Sequence, residues 1–145
     1  MSRYTYLLAA LLGGFAVTSG ASDTLSAADG RVRETIPGQN RGVAYLTLGN
    51  ASPQECPLLE VTSPAAARVE LHQHSHLDGR MQMRRVEAFS LAPGSRQVMR
   101  PGGLHLMLLE LARPLRRGDA VDFHFDFGAC GDLSVTLPVV AVGED

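Results

Sequence analysis

Short stretches of alternating apolar and polar residues recur along most of the chain, and each is closed off by a cluster of Gly, Pro, Asn or Asp. The stretches are VRETI (32–36), GVAYLTL (42–48), CPLLEV (56–61), RVELHQH (68–74), MQMRRVEAFSL (81–91), LHLMLLEL (104–111), AVDFHFDF (120–127) and LSVTLPVV (133–140). Between them stand PGQN, GNASP, TSPAA, LDG, APGS, RPGG, RRGD and GACGD. A period of two places successive side chains on opposite faces of a strand, and turn residues at this spacing leave no room for long helices. The pattern predicts an all-β domain, an antiparallel sandwich or barrel. Residues 22–30 read as a polar leader ahead of the first strand, and AAARVELH can hold a helical turn. There is no internal repeat or linker, so residues 22–145 are read as one domain.

Ahead of that domain, Arg3, the apolar run from Leu7 to Val17 and the small residues around Ser19 and Ala21 have the layout of a secretory signal peptide, assigned to residues 1–21. Its 11 apolar residues fall short of the ~20 a spanning helix needs. LSAA at 25–28 offers a later cleavage point. No Cys follows the run closely, so no bacterial lipid anchor is expected. Export to the periplasm puts Cys56 and Cys130, the two cysteines of the chain, in an oxidising compartment where a disulfide between them is expected. The formal net charge is −2, and the 13 basic residues, all Arg, are scattered, which excludes a nucleic-acid partner. No stable membrane insertion is expected. Asn50-Ala51-Ser52 is a sequon in form, but with Pro53 behind it the segment reads as a turn.

Residues 72–83, HQHSHLDGRMQM, hold three of the five histidines and two of the five methionines. On a strand, Val69 and Leu71 face one way while Glu70, His72, His74 and His76 face the other. LDG then turns the chain, and Met81 and Met83 share a face of the returning strand. A second element, GGLHLML, sets His105 beside Met107, with Leu104, Leu106 and Leu108 on the opposite face. Two imidazoles and two thioethers suit a soft ion: a thioether is a poor ligand for Zn²⁺, Ca²⁺ or Mg²⁺ but matches Cu(I), which also accepts imidazole. Met99 and Met81 are read as structural, His74 and His76 as exposed residues with at most a secondary contact to metal. His124, between Asp122 and Asp126 on one strand face, is not read as a metal site, because side chains in line on a flat strand seldom converge on an ion.

His72, Met83, His105 and Met107 form the spacing H-x10-M-x21-H-x-M, and in this the chain resembles the PCu(A)C family of periplasmic copper chaperones. GVAYLTLGN, SPAAARVELH, the DG turn before MQMR, APGS, PGGLHLML, LARPLRRGD and LSVTLPV are similar to that family's strands and turns in order, from about Gly42 to Val140. The resemblance implies a cupredoxin-like Greek-key β-sandwich and one Cu(I) per chain held by His72, Met83, His105 and Met107. It also implies delivery of copper toward the binuclear site of cytochrome c oxidase subunit II, with Sco-type thiol proteins as partners. The tail VVAVGED adds no further His or Met. The alternative is a periplasmic copper-buffering or resistance protein with no dedicated recipient. An enzyme is not expected: GxSxG, HExxH, CxxC and a glycine-rich phosphate loop are all absent, and two thioethers bias a site toward Cu(I) rather than the two-state chemistry of an oxidase.

Overall fold

A computed structural model describes residues 24–144; the signal-peptide assignment to 1–21 lies outside the described residues. Eleven strands occur in the order β1 (Leu25–Arg33), β2 (Arg41–Asn50), β3 (Cys56–Leu58), β4 (Glu60–Thr62), β5 (Ala66–Leu77), β6 (Arg80–Arg85), β7 (Phe89–Leu91), β8 (Arg96–Val98), β9 (Leu104–Leu111), β10 (Ala120–Asp126) and β11 (Asp132–Val140). A single 3₁₀ turn, Gly128–Cys130, separates the last two, and no α-helix occurs among the described residues. Hydrogen bonding runs through β4-β10-β11-β1-β2-β9-β5-β6, with β8 on the second half of β2, while β3 and β7 pair apart from it. The architecture is the expected cupredoxin-like β-sandwich in one domain.

Alternation accounts for the core. In β10, Val121, Phe123 and Phe125 are buried while Asp122 and His124 are exposed, and Phe127 continues the inward set. These aromatic rings meet Ala44, Leu46 and Leu48 of β2, Leu104, Leu106 and Leu108 of β9, Leu71 of β5 and Leu137 and Val139 of β11 in one apolar cluster. Met99 lies in the same cluster, as read from the sequence. Asn50 closes β2 by donating from Nδ2 to the carbonyls of Gln54 (2.7 Å) and Leu91 (3.0 Å) and accepting from Ser52 N at Oδ1, which is the work of a turn residue. Cys56 and Cys130 are joined in a disulfide that ties β3 to the 3₁₀ turn.

Several expectations need correction. The sandwich is not wholly antiparallel, because β1 runs parallel to β11 at Val32–Val139 and Arg33–Val140, and this link joins the two layers. The supposed polar leader to Gly30 is the first half of β1: Leu25–Ala28 pair with Asn50–Thr47, and only then does the ladder shift register, with Asp29 at φ 53°. Cleavage within LSAA would therefore remove paired strand residues. At its other end β1 stops at Arg33, short of the predicted Ile36. CPLLEV divides into β3 and β4, and MQMRRVEAFSL into β6 and β7, since in each case the two halves pair with different strands. AAARVELH holds no helical turn; the strand β5 begins at Ala66.

Candidate metal centre

Three neighbouring strands build the site. β5 lies between β9 and β6, antiparallel to both, with His72 opposite His105, Glu70 opposite Met107, His74 opposite Met83 and His76 opposite Met81. Opposed residues share a face, and diagonal neighbours two positions along are within reach of long side chains. His72, His105, Met107 and Met83 thus fall on one face across three successive rungs, those of Glu70, His72 and His74. The opposite side of β9 carries the three leucines of the core, so His105 and Met107 sit on a strand whose position is fixed by packing.

The hairpin that brings Met83 to this face is specified locally. Leu77 pairs with Arg80 across the two-residue loop Asp78-Gly79, whose φ values are 51° and 73°. Two successive left-handed residues make a type I′ turn, whose twist matches that of the flanking strands, and Asp-Gly is a favoured pair for it.

Burial grades across the site. His105 is 3% exposed and Met107 9%, whereas Met83 on the edge strand is 47% exposed. The His72 side chain, at 17%, lies between. The rings of His72 and His105 are 6.0 Å apart between centroids, and that of His74 is 5.1 Å from His105. His105 Nδ1 donates to the Gly103 carbonyl at 3.0 Å. Burial pushes the His105 imidazole below its ordinary pKa, partly offset by that hydrogen bond, and the neighbouring His74 and His72 push the same way as burial.

His72 Nε2 lies 2.9 Å from Glu70 Oε2, and Arg85 Nη1 is 3.5 Å from Glu70 Oε1. The hydrogen bond from His72 holds the Glu70 carboxyl below the usual carboxylate range, against the opposing effect of burial and with help from Arg85. Beyond β9, Tyr45 of β2 brings its ring to 6.4 Å from that of His105, and the Arg31 and Arg33 guanidinium carbons lie 5.2 and 5.7 Å from the Tyr45 ring centre.

The four motif residues share that one face of the sheet. His74, expected as merely exposed, is half-buried against His105, and its Nδ1 is buried without a hydrogen-bond partner. His76 is exposed at the end of the hairpin. Met81, read as structural, fills no core: it is exposed opposite His76. His124 turns away from its strand neighbours, with Nδ1 3.0 Å from Ser134 Oγ and Nε2 3.4 Å from Asp132 Oδ2, while Asp122 and Asp126 accept from Thr136 Oγ1 and Gly128 N. Alternation places Glu70 on the histidine face but gives it no role; Tyr45, Arg31 and Arg85 carry no signal in the sequence, since only the pairing of β2 with β9 and of β6 with β5 brings them near. Among the described residues no group of three or more His, Cys, Asp or Glu side chains is arranged to hold an ion.

The family described as "Putative lipoprotein LpqE-like" matches residues 25–139. A curated relative, "Putative lipoprotein Lxx21020" of Leifsonia xyli subsp. xyli, is 29% identical over 103 residues, 70% of this chain; the match spans 62% of that relative's length. Among solved structures, the copper-free PCuAC domain of PmoF2 superposes with a TM-score of 0.70 at 25% identity, covering 83% of this chain and 92% of that one. Its copper-bound form gives 0.67 at 24% identity, covering 81% and 93%, a likeness of fold. The Cu(I) form of DR1885 from Deinococcus radiodurans gives 0.61 at 27% identity, covering 79% and 75%.

Proposed function

The chain belongs to the LpqE-like family, which is the PCuAC family, and from that premise we propose that it is an exported copper chaperone carrying one Cu(I) ion on His72, Met83, His105 and Met107. The observation that carries the reading is the register of β6, β5 and β9, which gathers two imidazoles and two thioethers on one face. Neutral soft donors leave the ion its single charge and discriminate against the hard divalent ions. No thiolate is involved, so an oxidising compartment does not threaten the site. The solved relatives named above as copper-bound and Cu(I)-bound support this choice of ion.

The copper is cargo, and no chemical step is asked of the protein beyond binding and release. Delivery to the binuclear copper centre of cytochrome c oxidase subunit II, with Sco-type thiol proteins as co-workers, is the destination we propose; the partly exposed Met83 gives a recipient its access to the ion.

A competition titration of residues 22–145 with a Cu(I) chelator under reducing conditions tests the reading. One ion per chain is expected. Met83→Leu with Met107→Leu should weaken binding at least tenfold, while each swap, being nearly volume-conserving, costs less than ~1.5 kcal/mol of stability. Unchanged affinity in the double variant would overturn the ligand assignment. Mixing the loaded protein with the copper-free, thiol-reduced soluble domain of subunit II should move Cu(I) onto that domain, and the visible absorption of the centre should appear once an added one-electron oxidant takes one electron from the filled site; a failure of transfer, with tight Cu(I) binding intact, would leave the carrier and remove the recipient.

A further inference from the structure

The two site histidines present opposite ring nitrogens to their fixed hydrogen-bond partners. For His105 the partner of Nδ1 is the Gly103 carbonyl, an acceptor that cannot donate, so the proton of the neutral ring sits on Nδ1 and the lone pair on Nε2. For His72 the order is reversed. The partner of its Nε2 is the Glu70 carboxylate, whose other oxygen faces Arg85 Nη1 at 3.5 Å, and a carboxylate only accepts. The proton of neutral His72 is therefore on Nε2. The other nitrogen, His72 Nδ1, is buried and has no hydrogen-bond partner.

A buried polar atom without a partner is costly and calls for an explanation, of which ligation of an ion is one; His74 Nδ1 shares the condition but has no carboxylate on its other nitrogen. From this geometry we infer that Glu70 is a positioning residue of the site: by accepting from His72 Nε2 it fixes the tautomer and ring orientation that leave Nδ1 for copper, while His105 offers Nε2. Arg85 completes the device. It lies opposite His72 on β6 and holds the second Glu70 oxygen, so the carboxylate is tied at both ends. Glu70 itself lies opposite Met107, two residues before His72 on the same face, and it needs no backbone movement to act. Carboxylate–histidine pairs of this kind orient metal ligands and raise their basicity.

The inference rests on the copper reading but is tested apart from it. Long-range ¹H–¹⁵N correlation spectra of histidine-labelled, copper-free protein at about pH 8, where a free imidazole is neutral, report each tautomer directly. His72 is expected as the Nε2–H form and His105 as the Nδ1–H form. Glu70→Leu should return His72 to a mixture of tautomers and lower Cu(I) affinity about tenfold or more. Glu70→Gln, whose amide oxygen still accepts, should keep the Nε2–H form and lie within about threefold of the parent. A His72 found as Nδ1–H in the unaltered protein overturns the inference, and so does a Glu70→Leu variant with the parent's tautomer and affinity. Should the unaltered protein bind no Cu(I), the proposed function falls, while the spectra of the copper-free protein still decide the role of Glu70.

Discussion

His105 is the one histidine buried among the described residues, and burial gives it an acid–base behaviour that a free imidazole lacks. Its folded-state pKa lies below the ordinary imidazole value of about 6.5, so the unfolded chain takes up this proton first as pH falls. Stability contributed by a neutral His105 is fully present above about pH 6.5 and is lost as pH drops from there toward the lowered folded value. We expect the denaturant midpoint of the copper-free protein to fall between pH 7.5 and pH 5. In His105→Asn, which keeps a donor near the Gly103 carbonyl, this component of the fall should be missing. Glu70 acts in a separate window: its folded pKa is held below 4.5, and its contribution disappears only under more acid conditions. Midpoints that run parallel for the two proteins across pH 5–7.5 would contradict the account. If His105 ligates copper as proposed, the same burial should favour binding in mild acid, because a lowered pKa leaves less proton to displace there.

The hairpin of β5 and β6 is the element on which the site depends most and which the fold supports least. From Ala66 to Gln73, β5 is held by β9, and His74 N still donates to the Gly103 carbonyl; from Ser75 to Leu77 it has only β6 beside it. The Asp78-Gly79 turn therefore carries much of the hairpin's order. Gly79→Ala meets no steric contact but puts a Cβ at φ 73°, a left-handed conformation that costs an L-residue ~1 kcal/mol or more. Faster amide exchange confined to residues 74–85, with Cu(I) affinity down about fivefold, is the expected result, since ~1 kcal/mol corresponds to about that factor; unaltered exchange would show that the turn is not the restraint. This hairpin was legible in the sequence because turn, alternation and ligand spacing all lie within some 15 residues of one another. β9 and β10 were legible for the same reason, each carrying a complete period-2 pattern. What alternation could not show is where a strand changes partner. β6 and β7 read as one run because the residues between them keep the period, and the break is imposed by Cys56–Leu58, distant in sequence, pairing with Phe89–Leu91. Leu25–Ala28 was read as polar leader since small residues carry little hydrophobic signal, yet Leu25 packs into the core and the rest extend the ladder. Tyr45 escaped for a third reason: a tyrosine in an apolar strand looks like core until the neighbouring strand proves to carry His105.

For the molecule as a whole, the disulfide and the metal centre are separable. Cys56 and Cys130 enclose most of the fold, with a sequence separation of 74, and neither lies on a strand that carries a motif residue. In the chain-entropy picture, closing a loop of that length in the unfolded state contributes on the order of 4 kcal/mol. Cys56→Ala with Cys130→Ala should lower the unfolding free energy by up to that amount and leave Cu(I) affinity within about twofold; a large loss of affinity in a folded variant would show that the two regions are coupled. The gradient of burial across β9, β5 and β6 bears on kinetics as well as on affinity. His105 and Met107 are shut in on the inner strand, whereas Met83 stands half open on the sheet's edge, so the donors of a loaded site are unequal in their freedom to leave. On the proposed ligand set, an ion should depart by substitution, with a competing thioether or thiolate entering at Met83 and the inner pair letting go last. The rate of copper loss should accordingly rise in proportion to the concentration of an added soft chelator, where spontaneous escape would give a rate independent of it. A stopped-flow series over chelator concentration distinguishes the two, and first-order dependence would mean that the residence time of copper on this protein is set by whoever comes to collect it.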